Sequence, residues 1–313
     1  MLYLSLMNEK RVIWSTIRAV LESDKYKRKK NGKKSRSHWS LFQNLLKYFV
    51  FILKISGYYK VGLDNARKIQ LNNHSFFFDN LPESFDGYKI MHLSDFHLDT
   101  FPGLEKDIIR MIDKIECDLC ILTGDYRKAT HGAYRQVLPA MRKIVEHIHA
   151  KDDIVGIMGN HDTFLMVEHL EKMGIRMLIN ENMQISRGKD HISLTGTDDP
   201  YYYFTDLAVD ILQQEDENFK IALVHTSELY DIAADMGYDL YLCGHTHGGQ
   251  ICLLGGRPVI THQFEGREFY KGPWKYKNMR GYTNVGCGVS AIPIRFNCPG
   301  EIALIELRKK VPL

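Results

Sequence analysis

Six short apolar runs, each closing on a polar turn, constrain this 313-residue chain more than any other feature: "YKIMHLSD", "DLCILTGD", "DIVGIMGN", "HISLTGTD", "KIALVHTS" and "DLYLCGHT". Each reads as a few strand residues ending in a Gly, Asp, Asn or His turn. Helical patterns lie between them. In "GLEKDIIRMIDKIE", Leu104, Ile108, Met111, Ile112 and Ile115 recur at helical spacing, and "SELYDIAADMG" stops at Gly237 as a helix C-terminus does. Strand, polar turn, helix, strand is the grammar of an α/β domain. The C-terminal part, "RGYTNVGCGVSAIPIRFNCPGEIALIEL", has no helical period and is expected to form successive strands. No internal repeat or low-complexity segment follows residue 38.

With 44% hydrophobic and 25% charged residues, the chain can bury a large core, as one big domain or two small ones. Its six cysteines are spread through apolar runs, which predicts buried thiols in a reducing compartment. Cys117 and Cys120 form a C-x-x-C, but with no second such pair the strand reading of "CDLCILTGD" is favoured over a redox or zinc site.

The net charge of +3 hides an asymmetry. Residues 1–38 carry eleven Lys or Arg and three acidic residues, a net +8 that leaves the remainder at −5. Within this N-terminal basic tail (1–38), "KYKRKKNGKKSR" packs eight basic residues into twelve positions, as in a solvated segment or a polyanion contact. The most apolar stretch of the sequence follows, "WSLFQNLLKYFVFILKISG" (39–57). On a helix, Ser40, Gln43, Asn44, Lys47 and Lys54 share a sector of about 100° and nearly everything else is apolar, Phe51 being the one intruder. A stretch of about 17 residues with a central lysine is marginal for spanning a bilayer, which wants about 20. An amphipathic helix in the membrane interface fits better, its neighbouring lysines attracting anionic headgroups at about 1 kcal/mol each. A spanning anchor and a helix packed on its own domain are the alternatives. A secretory signal is disfavoured by the late start of the apolar run and by the lack of a small-residue cleavage pattern.

Ligands of α/β domains sit beyond strand ends. Here those ends carry Asp95 and His97 in "SDFHLD", Asp125 in "TGDY", Asn160 and His161 in "GNHD", His225 in "LVHTS", and His245 and His247 in "GHTH". Imidazole nitrogens with carboxylate oxygens and no thiolate suit manganese, iron or zinc. Asp95, His97, Asp125, Asn160, His225, His245 and His247 make seven candidate ligands. Seven is too many for one ion and about right for two divalent ions sharing a carboxylate, the arrangement that clamps a displacement at phosphorus.

In this order, "SDFH", "GD", "GNHD", "VH" and "GHTH" resemble the calcineurin-like metallophosphoesterases, and the likeness extends from about residue 66 to about residue 308. The flanks "LPESFDG", "GHTHGGQI" and "IPIRFNCPGEIALIEL" resemble the bacterial membrane-associated branch, which includes hydrolases of UDP-2,3-diacylglucosamine. The resemblance implies a four-layer αββα sandwich of two mixed β-sheets flanked by helices over residues 60–313, preceded by the basic and amphipathic helical extension. It implies that Asp95, His97 and His247 bind one ion, that Asn160, His225 and His245 bind the other, and that Asp125 bridges them. Hydrolysis would proceed by a hydroxide bridging the ions, with manganese favoured among the metals. His161 would stabilise the developing charge or protonate the leaving oxygen, held in place by Asp162. His245 and His247, one residue apart, are assigned to different ions, so the backbone should turn there, and Gly244, Gly248 and Gly249 would permit it.

The chain departs from the pattern at Lys128 in "GDYRK", where many relatives carry an acidic residue. Arg127 or Lys128 could therefore contact substrate phosphate, against the plainer reading of a solvated basic pair. UDP-diacylglucosamine hydrolases of another branch carry arginine where His161 stands. Tyr202, in the aromatic run Tyr201 to Phe204, could line a lipid or sugar pocket, and Arg295 could serve structure or substrate. His92 is read as packed or as supporting the ligands, and His131, His147, His149, His169, His191 and His262 as surface or packing residues.

The expectation is thus a two-metal phosphodiester or pyrophosphate hydrolase. It would meet a lipid-linked, phosphate-containing substrate at a membrane surface through residues 25–57, peripheral or monotopic on the cytoplasmic face of the inner membrane. A phosphodiesterase acting on soluble substrates or nucleic acid would explain the basic run but not the apolar helix attached to it. A non-catalytic membrane-docking scaffold is disfavoured by a complete ligand set.

Overall fold

The computed structural model describes residues 2–30, 37–261, 263 and 265–310, and the side chains of 9–25 and of 44 onward within them. Three helices open the chain: α1 (Leu2–Lys30), α2 (Ser37–Ile55) and α3 (Tyr58–Ala66). There follow β1 (Ile69–Phe78), β2 (Tyr88–Leu93), α4 (Leu104–Ile112), β3 (Glu116–Leu122), α5 (Leu138–Glu146), β4 (His149–Gly156), α6 (Val167–Glu171) and β5 (Arg176–Met177). The second half holds β6 (Glu181–Arg187), β7 (Asp190–Gly196), α7 (Pro200–Tyr203), α8 (Asp206–Leu212), β8 (Phe219–Leu223), α9 (Tyr230–Asp235), β9 (Leu240–Cys243), β10 (Gly272–Tyr276), β11 (Met279–Thr283) and β12 (Gly300–Lys309).

The strands form two six-stranded sheets, ordered β1-β12-β2-β3-β4-β5 and β10-β11-β9-β8-β7-β6. Both are mixed: β12 runs antiparallel to β2, and β10 and β6 run antiparallel to β11 and β7. Side chains alternate along each strand, so both faces of a sheet are served by one apolar run. Leu119 and Ile121 of β3 point into the space between the sheets, meeting Leu194, Ile221, Leu223 and Leu242 of the facing sheet. Cys120 and Leu122 point the other way, under Ile108 and Ile112 of α4 and Met141 and Ile144 of α5. On the far side Ala208 and Leu212 of α8 and Ala233 of α9 cover Ala222, Tyr241 and Cys243. The result is helices, sheet, sheet, helices. All six cysteines are free and buried, and burial pushes the Cys120 thiol well above its ordinary value.

Two regions differ from expectation. Between β11 and β12 the chain forms no further strand, apart from one isolated bridge between Ile251 and Phe296. Carbonyls in this stretch are satisfied instead by the buried guanidinium of Arg295, which donates to Val285 (2.7 Å), Gly286 (3.0 Å) and Gly288 (2.6 Å). The second region is the N-terminal extension. Its first part is helix α1, with Trp14 and Arg18 buried against the sandwich; the side chains of residues 26–36 lie outside the described residues. Helix α2 leaves Leu45, Tyr48, Phe49, Phe51, Ile52 and Ile55 exposed, while Leu46 and Val50 lie beside Ile292. Among the described residues no helix is long and apolar enough to cross a membrane.

Candidate metal centre and active site

Five parallel strands, β2, β3, β4, β8 and β9, end on one edge of the sandwich, and the turns after them carry every polar group expected there. These turns are stitched together by backbone hydrogen bonds: Asp95 N to Gly124 O (3.0 Å), His97 N to Asp125 O (3.0 Å) and Gly244 N to His225 O (2.9 Å). Others cross between the sheets. The Nδ1 of His225 meets the Thr123 carbonyl (2.6 Å), and His245 N donates to Asp95 Oδ2 (2.8 Å).

The turns are sharp. Asp95 (φ 50°), His97 (41°), Asp125 (58°), His245 (72°) and His247 (51°) all adopt the left-handed backbone conformation. In residues with a Cβ this costs about 1–3 kcal/mol each and persists where surrounding bonds enforce it. It is also what separates the two histidines after β9. His247 lies with Asp95 and His97, and His245 with Asp125 and His225, each trio keeping its ligand atoms within 4.8 Å of one another. Asn160 completes the second group, its Oδ1 standing 3.0 Å from both His225 Nε2 and His245 Nδ1. Asp125 joins the groups: its Oδ2 is 3.6 Å from His97 Nε2 and 3.4 Å from His225 Nε2.

Gly244 has a different task from the one expected. A Cβ there would collide with Ser94 Oγ and Asp95 Oδ2, so close approach of two loops demands glycine at this position.

The donor set fits divalent cations. The Nδ1 of His97 meets the Arg127 carbonyl at 2.8 Å and must carry its proton there, leaving Nε2 as a lone pair. That lone pair faces His247 Nε2 at 3.1 Å. Two nitrogens about 2.1 Å from one ion stand about 3.0–3.4 Å apart at ordinary coordination angles. Asp95 Oδ1, fully buried, has no hydrogen-bond partner and lies 3.4 Å from the same His247 nitrogen. Electrostatics agree. Burial lowers His97 to about 4 and His247 well below its ordinary value, so both are neutral and ready to coordinate. Burial raises Asp95 to about 6, with Asp125 adding to the shift. Burial opposes charge on His225, but the Asp125 carboxylate outweighs it and lifts that group to about 10.

His161 reaches the centre from the side, its Nε2 3.9 Å from Asp125 Oδ2 and its backbone N–H on Asp125 Oδ1 (2.8 Å). Its ring is held through Nδ1 by the Lys128 carbonyl. Asp162 was expected to hold that ring and does not. Its carboxylate instead accepts three backbone N–H groups, from Asp125 (2.8 Å), Tyr126 (2.9 Å) and Gly159 (2.8 Å). Arg127 also departs from its expected contact with substrate: it is buried, donating to the carbonyls of His161 (2.7 Å) and Gly132 (2.9 Å). Arg295 is likewise turned inward, with His247 O among its acceptors (3.3 Å). Lys128 joins its neighbours through its backbone, N–H to Asp99 Oδ1 (2.6 Å). Tyr202 is exposed, stacked on Tyr201, whose ring centroid is 4.4 Å from that of His245. His92 is buried against Thr123 Oγ1 (2.9 Å), as a packed residue would be, and His262 lies outside the described residues.

Sequence reasoning missed the contribution of α1. Arg18 reaches the carbonyls of Gly159 (3.3 Å) and Asp162 (3.1 Å), on either side of the Asn160–His161 pair. Its carboxylate partner, Asp198, belongs to the pair "DD" in the turn after β7, a further strand end that carries carboxylates.

Comparison with known proteins is consistent with this centre. The metallophosphoesterase YkuE of Bacillus subtilis (strain 168) is 30% identical over 251 residues, 77% of this chain and 86% of that protein. The phosphodiesterase YaeI of Escherichia coli (strain K12) is 29% identical over 243 residues, 74% of this chain and 85% of that one. Among solved structures, the NAD nucleotidase of Haemophilus influenzae matches with a TM-score of 0.43 at 14% identity, over 64% of this chain and 50% of its own. A sequence model of the calcineurin-like phosphoesterases matches residues 88–249, which hold every candidate ligand, and together with the 30% identity to YkuE this establishes the chain as a metallophosphoesterase of the calcineurin-like phosphoesterase family.

Proposed function

We propose that this enzyme is a two-metal phosphodiester or pyrophosphate hydrolase that works at a membrane surface on a lipid-linked substrate, with UDP-2,3-diacylglucosamine the first compound to test. The observation that carries the two-ion reading is the position of Asp125 Oδ2, within 3.6 Å of an imidazole nitrogen of each ligand group. Asp95, His97 and His247 would hold one ion, Asn160, His225 and His245 the other, and Asp125 both. When bound, such ions activate water near neutral pH and neutralise charge on the phosphoryl oxygens. Histidine and oxygen ligands without thiolate favour manganese, iron or zinc, with manganese the first choice. His161, fixed through Nδ1, presents Nε2 to the centre, where it would stabilise the developing charge or protonate the leaving oxygen.

The membrane reading rests on the outer face of α2, where Leu45, Tyr48, Phe51, Ile52 and Ile55 are exposed beside Lys47 and Lys54. Such a face suits a peripheral or monotopic seat in the interface. Six free, buried thiols are in keeping with a reducing compartment, and so with a seat on the cytoplasmic rather than the outer side of the inner membrane. The full chain, loaded with manganese, should hydrolyse bis-p-nitrophenyl phosphate and UDP-2,3-diacylglucosamine; Asp125→Asn should not, and His161→Ala should keep only a slow residual rate. Hydrolysis of neither substrate, or full activity in Asp125→Asn, would sink the two-metal reading. Hydrolysis of the first alone would leave the reaction standing and remove the lipid substrate.

A further inference from the structure

Helix α1 lies outside residues 88–249, which the family model matches, yet it grips the loop that carries Asn160 and His161. Arg18 is buried, its guanidinium against the ring of Tyr203 (3.5 Å to the centroid) and paired with Asp198. From there Nη2 donates to the carbonyls of Gly159 (3.3 Å) and Asp162 (3.1 Å). One turn further along α1, Glu22 holds Arg18 Nε (3.0 Å) and accepts from Thr163 Oγ1 (2.7 Å) and Phe164 N (3.0 Å). The loop is therefore tied at residues 159, 162, 163 and 164 by two adjacent side chains of one helix. Trp14 fixes the far side of Asp198 (2.7 Å). Inside the domain, the Asp162 carboxylate ties the same loop to the turn of Asp125. Between the two sets of bonds, His161 has little freedom to move its Nε2.

We infer that Arg18 is a positioning residue for catalysis: bridging Asp198 to the Gly159 and Asp162 carbonyls, it holds the loop so that His161 faces the reaction centre. This rests on the phosphoesterase role of His161. A planar guanidinium can serve carboxylate and carbonyls at once; an ammonium keeps the charge for Asp198 but lacks the fork. Small displacements of a catalytic group are costly, so Arg18→Ala and Arg18→Lys should both lower kcat, by roughly 10- to 100-fold, with little change in KM.

The test uses the full chain with bis-p-nitrophenyl phosphate and manganese, and Arg11→Ala as the control. Arg11 anchors α1 elsewhere, on Glu181 and the Met177 carbonyl (2.6 Å), so its loss should lower Tm and spare kcat. The ring resonance of His161, identified by its absence in His161→Ala, should shift in both Arg18 variants of the metal-free protein. In a His161→Ala background Arg18→Lys should cost less than about twofold, because residues that act as one unit are not additive. An equal loss in both backgrounds, or an unmoved His161 resonance in both Arg18 variants, overturns the inference. If the parent enzyme hydrolyses nothing, the failure belongs to the reaction assigned above, and the resonance still decides the role of Arg18.

Discussion

The carboxylate of Asp162 accepts the backbone N–H of Asp125 at 2.8 Å and makes no contact with the imidazole of its neighbour His161. A residue adjacent to the candidate acid thus supports the bridging ligand instead. Three N–H donors converge on it, from the turns after β3 and β4, in a site closed to water. Asparagine there would present an amide N–H to at least one of those donors. Asp162→Asn should therefore cost about 2–4 kcal/mol, the range for breaking a buried charged hydrogen-bond network. Urea unfolding measures it; an unchanged midpoint would mean that the turn is held by other contacts.

The lone pair of His97 Nε2, the 3.1 Å approach of His247 Nε2 and the orphaned Asp95 Oδ1 predict tight metal binding at that trio. Chelator-stripped protein should melt below the loaded form, because a ligand at 100 times its Kd stabilises by about 2.7 kcal/mol. His247→Ala and Asp95→Asn should each weaken binding by tenfold or more, read by calorimetric titration with Mn2+ or Zn2+. Retention of parental affinity in both variants would count against the assignment of these three residues as ligands.

Some of this was legible in the sequence and some was not, for physical reasons. The strands of the sheet centres could be read because each is a short apolar run that stops at a polar turn, and the candidate ligands because they stand at those stops. β1 and β6 are less plain, since edge strands mix exposed polar positions with buried apolar ones, as Gln70, Asn73 and Ser75 do with Ile69 and Phe76 in β1. Arg127 and Arg295 showed the limit of placing a basic residue by its neighbours. A motif fixes where the Cα lies, but the direction of a long side chain depends on which carbonyls lack partners, and those come from loops distant in sequence. Arg18 is the extreme case. Its partner Asp198 is 180 residues away, and the face of α1 that is buried carries Arg11, Arg18 and Glu22, so it resembles a solvent face.

Gly244 provides a test of how tightly the two sheets meet at the centre. A methyl group on this residue would run into Ser94 Oγ and Asp95 Oδ2, so Gly244→Ala must push the first strand-end turn away. Overpacking of this kind costs about 1–3 kcal/mol, and here the displaced atoms belong to a ligand. The variant should lose metal affinity out of proportion to its stability. Metal analysis of the folded variant measures this, and parental metal content would show that the loops can part without harm.

The outer face of α2 gives the membrane reading its sharpest consequence. Phe51 and Ile55 are 58% and 70% exposed, and burying such a side chain yields about 1.5–3 kcal/mol. Replacing both by serine should weaken binding to vesicles containing anionic lipid by at least about 100-fold, at 1.4 kcal/mol per factor of ten. Neither residue lies near the metal centre, so hydrolysis of bis-p-nitrophenyl phosphate in solution should be unchanged. Co-sedimentation with phosphatidylglycerol vesicles, at low and high salt, separates the apolar contribution from that of Lys47 and Lys54, because only the ionic part is screened. Parental vesicle binding in the double variant would move the membrane contact away from α2, whereas binding lost together with activity would point to damage reaching the centre through Ile292 and the loop beside it.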